Sequence, residues 1–219
     1  MFLNTFSIVA RCPRTFRMGV AVSTAVPGVG SICPFVQSGV GAVSTQSWVN
    51  PYLAIDALAL MERGATAPSA LDTVMESDGG RALRQLGIVD ARGQASAYTG
   101  ADCTPWCGHR VGPGYAVQGN MLVNETVVAA MEAAFLASEA EDLAERLVST
   151  LEAGQAAGGD KRGMQSAAMV IVKKDAGVWL HNDVVVRLQV DDNPEPIKEL
   201  RRLVEKAATM RRPSPSTNR

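Results

Sequence analysis

TFSIVAR (residues 5–11) and MGVAVST (residues 18–24), near the start of the chain, have the composition of β-strands. Both are rich in β-branched residues, and the short segment CPRTF separates them. VGAVSTQS (residues 40–47), which follows the loop PGVG, has the same character. The sequence therefore predicts three short strands before any helix.

After these strands the spacing of apolar residues changes to that of helices. One helix is predicted from Pro51 until Gly64 stops it, and a second is opened by Pro68. A hairpin with its turn at residues 90–93 and a strand in GYAVQGNML come next. Asn124 is predicted to cap a helix that runs to about Ser138, and DLAERLVSTLEAGQ forms another.

The last third returns to strands, SAAMVIVKK and VWLHNDVVVRLQV, and ends in the amphipathic helix IKELRRLVEKAATM. Strands and helices thus come in blocks and not as single βαβ units. This order predicts an α+β protein in which antiparallel sheets are covered by helix pairs.

Length and composition predict one domain over residues 1–208, followed by a polar disordered tail over residues 209–219. The net charge of −1 and the lack of long basic runs argue against a nucleic-acid partner. No apolar stretch is long enough for a membrane helix, and the start has no basic region before its apolar run, so we expect a cytoplasmic protein without a membrane partner. Four irregularly spaced cysteines are expected to be reduced.

Several segments of the sequence, in the same order, resemble those of a bacterial family classed as a domain of unknown function within the N-terminal-nucleophile (Ntn) hydrolase superfamily. The matching segments are TFSIVAR with GVAVS, GVGAVSTQSWVNP, RQLGIVD, TGADCTPWCGHRVGPGYAVQGNML, AGGDKRGMQSAA and VDDNPEPIKELRRL. The resemblance extends from Thr5 to about Leu203. It implies a four-layer αββα sandwich and hydrolysis of a carbon–nitrogen amide bond in a small-molecule substrate.

The resemblance also implies that Thr5 is the nucleophile and the first residue of the working chain. Its own α-amine would then act as the base, because such an amine titrates near ~7.7 to 8.0. Here MFLN precedes Thr5. Removal of an initiator methionine requires a small second residue, which Phe2 is not, and so does not expose Thr5. Three alternatives stay open: the Asn4–Thr5 bond is cut, the true start differs, or this copy is inactive.

Other candidate residues surround this predicted nucleophile. The hydroxyl of Ser23 is expected to contact the amine of Thr5, and the amides of Gln46 and Asn50 to donate to an oxyanion. Each has a structural alternative, namely a backbone-bonded strand-end serine for Ser23 and a turn role for Asn50 before Pro51. Gln118 and Asn120 alternate on one strand, so they form either a buried amide network or the floor of a pocket.

The loop AGGDKRGMQSAA brings polar side chains together between glycines. Asp160 and Arg162 are candidates to orient a substrate carboxylate or the free amine, and Gln165 and Ser166 are potential donors. Alternatively, the glycines cap a helix and Asp160 forms an ordinary ion pair with Arg162.

Neither a cofactor nor a metal site is predicted. Cys103, Cys107 and His109 lack a fourth zinc ligand, and the second histidine, His181, lies far along the chain. Asp191 and Asp192 are adjacent in an extended segment and point to opposite faces, so we interpret them as part of a turn.

Two functional hypotheses follow: an Ntn-type amidohydrolase, and a catalytically inactive member that keeps the fold for ligand binding or assembly. In either case we expect a homodimer.

Overall fold

The computed structural model describes residues 2–3, 5–177 and 182–210. The described residues form eleven strands and five α-helices, and each pair of neighbouring strands is antiparallel. The expectation of an α+β protein with antiparallel sheets is therefore confirmed.

One sheet of the described chain has six strands and contains both of the opening stretches. Its strands are β2 (Thr5–Arg11), β3 (Met18–Thr24), β8 (Gly108–Gly112), β9 (Tyr115–Gly119), β10 (Ser166–Val172) and β11 (Val184–Val190). The order across the sheet is β11-β10-β3-β2-β9-β8. Strand β2 therefore has a hydrogen-bonded neighbour on each side.

The other sheet has five strands. They are β1 (Phe2–Leu3), β4 (Pro34–Gln37), β5 (Gly41–Trp48), β6 (Arg84–Asp90) and β7 (Ala95–Thr99). Strand β6 pairs with one side of β5. The other side of β5 is shared by β4, along residues 41–44, and by β1, at residues 47–48.

The helices are α1 (Pro51–Glu62), α2 (Ala67–Ser77), α3 (Thr126–Ala137), α4 (Leu143–Ala156) and α5 (Pro196–Met210). Their starts follow from local capping, since short polar side chains accept the first free backbone N–H groups. Asn50 accepts from Tyr52 N at 3.2 Å, and Asp142 accepts from Ala144 N at 3.0 Å. The predicted cap Asn124 accepts from Thr126 N at 2.8 Å.

Of the four apolar clusters among the described residues, three are the largest. Residues of α1 and α2 pack with Val43, Leu86 and Ile88 of the five-stranded sheet. Residues of α3, α4 and α5 pack on the six-stranded sheet, where the cluster includes Phe6, Ile8 and Met169. A third cluster joins the two sheets and contains Val9, Met18, Val20, Ala42, Val89 and Ala116. Alternate residues of β2 therefore face either helices or the other sheet, as the pleat requires.

The structure extends the predicted elements at several points. Strands β1, β4 and β8 are additional, whereas α5 ends at Met210 as predicted from the sequence, two residues past the predicted domain boundary. Of the predicted strand over residues 178–190, only Val184–Val190 is assigned, and residues 178–181, with His181, lie outside the described residues. Met1 and Asn4 of the predicted leader and residues 211–219 of the predicted tail also lie outside them. No helix in the described ranges combines the length and the apolarity needed to cross a membrane.

Candidate active site around Thr5

Thr5 is the first residue of β2 and is fully buried. Its carbonyl oxygen accepts two hydrogen bonds, from Asn120 N at 3.0 Å and from Gln46 Nε2 at 3.2 Å. Its side-chain oxygen Oγ1, in contrast, has no hydrogen-bond partner among the described residues. Burying an unpaired hydroxyl costs on the order of 1–3 kcal/mol, so this atom is the least satisfied part of a well-anchored residue.

Beside Thr5 lies a connected set of buried polar side chains between the two sheets. Ser7 Oγ donates to Gln46 Oε1 at 2.6 Å and accepts from Gln118 Nε2 at 2.6 Å and from Ser44 Oγ at 3.0 Å. Each of these side chains is fully buried. The network joins β2 and β9 of one sheet to β5 of the other, and so fixes the sheets relative to each other at this end.

Gln85 of β6 extends the network. Its Oε1 accepts from Gln46 Nε2 at 2.8 Å and from Asn120 Nδ2 at 2.9 Å. Its Nε2 donates to Thr99 Oγ1 at 2.9 Å and to the carbonyl oxygen of Gly119 at 2.8 Å. Both ends of this amide are thereby saturated, which gives Gln85 a positioning role.

Gly87 makes room for the network. A Cβ atom built on Gly87 would lie 2.6 Å from Gln118 Nε2 and closer still to Oε1, a separation that real Cβ atoms do not adopt. Gln118 therefore reaches Ser7 because the facing position of β6 carries no side chain. Gln118 Oε1 and Asn120 Oδ1 are buried without a partner in the described chain. Both are free acceptors, and Asn120 adjoins Thr5, whose carbonyl oxygen accepts from Asn120 N.

Gln46 and Asn120 thus reach the predicted nucleophile, although the role of Gln46 differs from the expected one. Both N–H bonds of Gln46 Nε2 are used, by Thr5 O and Gln85 Oε1, so this amide holds the backbone of Thr5. Asn120 Nδ2 uses one N–H bond, to Gln85. Gln118 and Asn120 both belong to this buried amide network, and each keeps one unpaired acceptor oxygen.

Ser23 occupies a different place from the one expected. In the antiparallel register Thr5 is opposite Thr24, and Phe6 is opposite Ser23. Ser23 therefore lies on the helix-facing side of the sheet with Phe6, and its Oγ donates to the carbonyl oxygen of Ser166 at 3.3 Å. The register assigns the place beside Thr5 to Thr24, because directly opposite residues point to the same face.

The loop of residues 158–165 is tied by its backbone to the Thr5 end of the sheet. Lys161 N donates to the carbonyl oxygen of Met121 at 3.0 Å, and Gln165 N donates to that of Thr24 at 2.8 Å. Asp160 is 3% exposed, and its carboxylate accepts from Arg162 N and from Arg162 Nη2, each at 2.9 Å. The structure thus brings this ion pair to the candidate site without showing a contact between Asp160 and Thr5.

Three further predicted residues are engaged in structural contacts. Ser166 Oγ donates to the carbonyl oxygen of Val26 at 2.6 Å and accepts from Val29 N at 3.2 Å. Gln165 Nε2 donates to Asp192 Oδ1 at 3.1 Å, and Asn50 caps α1. Each of these three side chains therefore has a hydrogen-bond partner within the fold.

The cysteine and histidine cluster makes contacts of its own. His109 Nδ1 lies 2.8 Å from Thr99 Oγ1, and Cys103 Sγ donates to the carbonyl oxygen of Arg84 at 3.2 Å. Burial lowers the pKa of His109 and raises the pKa of Cys103, so both are held neutral. Within the described part of the chain, no group of three or more His, Cys, Asp or Glu side chains is arranged to bind a metal ion.

Ser7, Thr24, Ser44 and Gln85 were not predicted as site residues. The available signal was polar residues two apart in otherwise apolar strands, as in Thr5 with Ser7 and in Ser44 with Gln46. Gln85 has no such polar partner on β6, because Gly87 takes the corresponding position.

Comparison with known proteins places the chain in a family. The model of a family of unknown function (DUF1028) matches residues 5–200. A Silicibacter pomeroyi protein of that family, whose crystal structure is known, is 31% identical in sequence to this chain. The superposition covers 94% of this chain and 89% of the Silicibacter chain, with a TM-score of 0.84.

Two solved structures of Anbu, the ancestral β-subunit, are more distant. The Yersinia bercovieri protein is 10% identical with a TM-score of 0.41, and a mutant from Hyphomicrobium sp. strain MC1 is 13% identical with a TM-score of 0.40. Both comparisons cover 97% of this chain and 100% of the other. A search of curated proteins finds no match. The matched family model and the Silicibacter relative show that the chain belongs to the DUF1028 family of unknown function.

Proposed function

We propose that this protein is an Ntn-type amidohydrolase that cleaves a C–N amide bond of a small substrate, with Thr5 as its nucleophile. The observation that carries the proposal is the side-chain oxygen of Thr5, which is fully buried and unpaired at the head of a strand whose backbone is held from two sides. A nucleophile needs this combination of a fixed backbone and a free oxygen.

The proposal includes a four-layer αββα arrangement. It is supported by the apolar cluster that joins the two sheets and by the separate clusters that join each sheet to its own helices. In this arrangement the Thr5 network occupies the polar end of the space between the sheets. The apolar residues Val9, Val20 and Val89 fill the other part.

Cleavage of the Asn4–Thr5 bond would convert Thr5 into a residue with both a hydroxyl and an α-amine. At neutral pH part of this amine is unprotonated, so it can take the hydroxyl proton as Oγ1 attacks the substrate carbonyl carbon. The protonated amine then donates to the leaving nitrogen as the C–N bond breaks, which leaves an ester on Thr5. Water hydrolyses the ester, with the amine again acting as the base.

The surrounding amides serve different parts of this reaction. Gln46 and Gln85 are saturated, so we assign them to positioning. Asn120 Nδ2 has one N–H bond not used by Gln85 and is our candidate to donate to the developing oxyanion. Asp160 and Arg162 are retained as candidates to orient a substrate carboxylate or the new amine, since their loop is bonded to residues 24 and 121.

The second candidate is a catalytically inactive member that keeps its first residues and uses the fold for ligand binding or assembly. It is favoured by the pairing of β1 with β5, in which Phe2 lies opposite Trp48 and Leu3 opposite Ser47. In this state Thr5 is fully buried, so no substrate can reach it. The two candidates therefore differ in whether the residues before Thr5 are removed.

Intact-protein mass spectrometry combined with a β-lactone acylating probe tests the proposal. We expect a chain that begins at Thr5 and carries one acyl group, mapped to Thr5 by peptide sequencing. Thr5→Ala should lose the labelling, and the control Thr73→Ala, which changes an exposed threonine of α2, should keep it. A chain that retains the residues before Thr5 and does not react with the probe would refute the amidohydrolase and favour the inactive member.

A further inference from the structure

A cleft lies at the end of β2 opposite to Thr5. It has a volume of about 220 Å³ and is lined by Arg11, the last residue of β2, and by Arg146 of α4. The aromatic rings of Tyr115 and Phe135 form part of its wall, with centroids 5.1 Å apart. A strand of seven residues spans about 20 Å, so this cleft is separate from the Thr5 site.

Arg146 is an unusual residue for a wall of this kind because it is only 5% exposed. Its Nη2 donates to the carbonyl oxygen of Phe135 at 3.0 Å, and its guanidinium carbon lies 3.8 Å from the centroid of the Phe135 ring. The Nε N–H, however, is buried and has no acceptor in the described chain. Burial lowers the pKa of Arg146, which expresses the cost of keeping its charge away from water.

Burial outweighs the nearby charges of Cys12 and Glu139, which by themselves would raise the pKa of Arg146. Among residues 2–3, 5–177 and 182–210, neither Arg146 nor Arg11 forms an ion pair. Arg14, in the adjacent turn, donates to the backbone carbonyl oxygens of Glu139 and Glu141, each at 2.8 Å. The exposed carboxyl-bearing residue Glu139 also lines the cleft. The lining side chains of Arg11, Arg146 and Glu139 thus carry one net positive charge, and the guanidinium of Arg14 lies in the adjacent turn.

Cys12 gives a second indication of the positive environment. This thiol is 1% exposed, and burial by itself would raise its pKa. Hydrogen bonds from Thr15 and from the backbone of Arg14, together with the charge of Arg14, outweigh burial and bring the pKa of Cys12 below its ordinary value. The turn between β2 and β3 therefore favours negative charge.

We infer that this cleft is a binding site for a small organic monoanion, a carboxylate that carries a compact apolar group. The guanidinium groups of Arg146 and Arg11, two residues that line the cleft, suit a carboxylate head, because guanidinium N–H groups match carboxylate oxygens. Phe135, Tyr115 and Leu136 provide an apolar wall for the body of the ligand. The volume suits a group slightly larger than benzene, which fills a cavity of about 150 Å³.

A single negative charge is favoured over a double one. Glu139 faces the same cleft, so a second charge on the ligand meets a carboxylate instead of a guanidinium. Dianions such as hydrogen phosphate are consequently expected to bind more weakly than a carboxylate with an apolar body.

Titration of the ¹⁵N-labelled full chain, followed by the arginine Nε–H signals, tests this site. We expect benzoate to shift the Nε–H signal of Arg146 with a dissociation constant in the roughly millimolar range, the affinity typical of a ligand this small. Benzamide, which has the same shape without the charge, should bind about tenfold more weakly or not at all. Inorganic phosphate should bind more weakly than benzoate.

Variants of the lining residues have opposite expected effects. Arg11→Gln should weaken benzoate about tenfold, and Glu139→Gln should tighten it about threefold by removing a like charge. Arg202→Gln, an exposed change on α5, serves as the control and should leave the affinity unchanged. The inference is overturned if benzamide binds as well as benzoate, if phosphate binds more tightly, if Glu139→Gln fails to tighten binding, or if benzoate leaves the Arg146 signal unmoved.

Discussion

Gly87→Ala tests the contact that allows the interior network to form. The new Cβ would overlap the amide of Gln118, which must then leave Ser7 Oγ and give up a hydrogen bond of 2.6 Å. Overpacking a dense interior costs about 1–3 kcal/mol, and the lost buried hydrogen bond about 1 kcal/mol more. We therefore expect Gly87→Ala to lower the free energy of unfolding by about 2–4 kcal/mol.

Urea denaturation followed by tryptophan fluorescence measures this change, and a second substitution isolates its cause. Gln118→Ala removes the group with which the new Cβ collides, so in that background Gly87→Ala should cost less than about 0.5 kcal/mol. Gly79→Ala is the matched control, because a Cβ there meets nothing within 4 Å. If Gly87→Ala costs the same with and without Gln118, the collision is not the cause and the reasoning is refuted.

Two further predictions concern the same chain. Burial, and after it the hydrogen bond to Glu132, raises the pKa of Tyr115 to about 12. Because the pKa of tyrosine in the unfolded chain is near ~10, the folded protein keeps a proton that the unfolded chain loses. The contribution of Tyr115 to stability is therefore complete below about pH 10 and is lost as the pH rises towards 12. Urea titrations across this range should show a smaller fall in stability for Tyr115→Phe than for the unmodified protein, and equal falls would contradict the assignment. The protein is also predicted to be a homodimer, which size-exclusion chromatography with light scattering would measure as twice the chain mass of 23.1 kDa, whereas a single-chain mass would contradict it.

Local sequence signals were sufficient for most of the fold. β2 and β3 were predicted with their observed bounds because each is a β-branched run that ends at a turn. The start of α1 followed from the change to helical spacing at Pro51, a proline that fits the first helical turn, whereas the capping role of Asn50 was not predicted. These features act between residues close together in the chain, so the sequence displays them directly.

The elements and residues that were missed depend on contacts over longer distances. β4 begins with Pro34 and β8 has glycine at each end with exposed residues between, so neither shows the pattern of a strand. The sequence predicts Ser23 beside Thr5, but Thr24 lies there, because the strand register that decides between the two residues is not visible in the local sequence. Gln85 joins residues 34 to 39 positions away, and no local pattern predicts such a contact.

The place of β2 inside its sheet also limits how Thr5 can move. β2 has a ladder on each side along most of its length, and its first residue is held in addition by Asn120 N and Gln46 Nε2. Backbone amides in such a strand exchange with solvent mainly through large-scale opening of the domain. The backbone of Thr5 is therefore a fixed reference point within the domain.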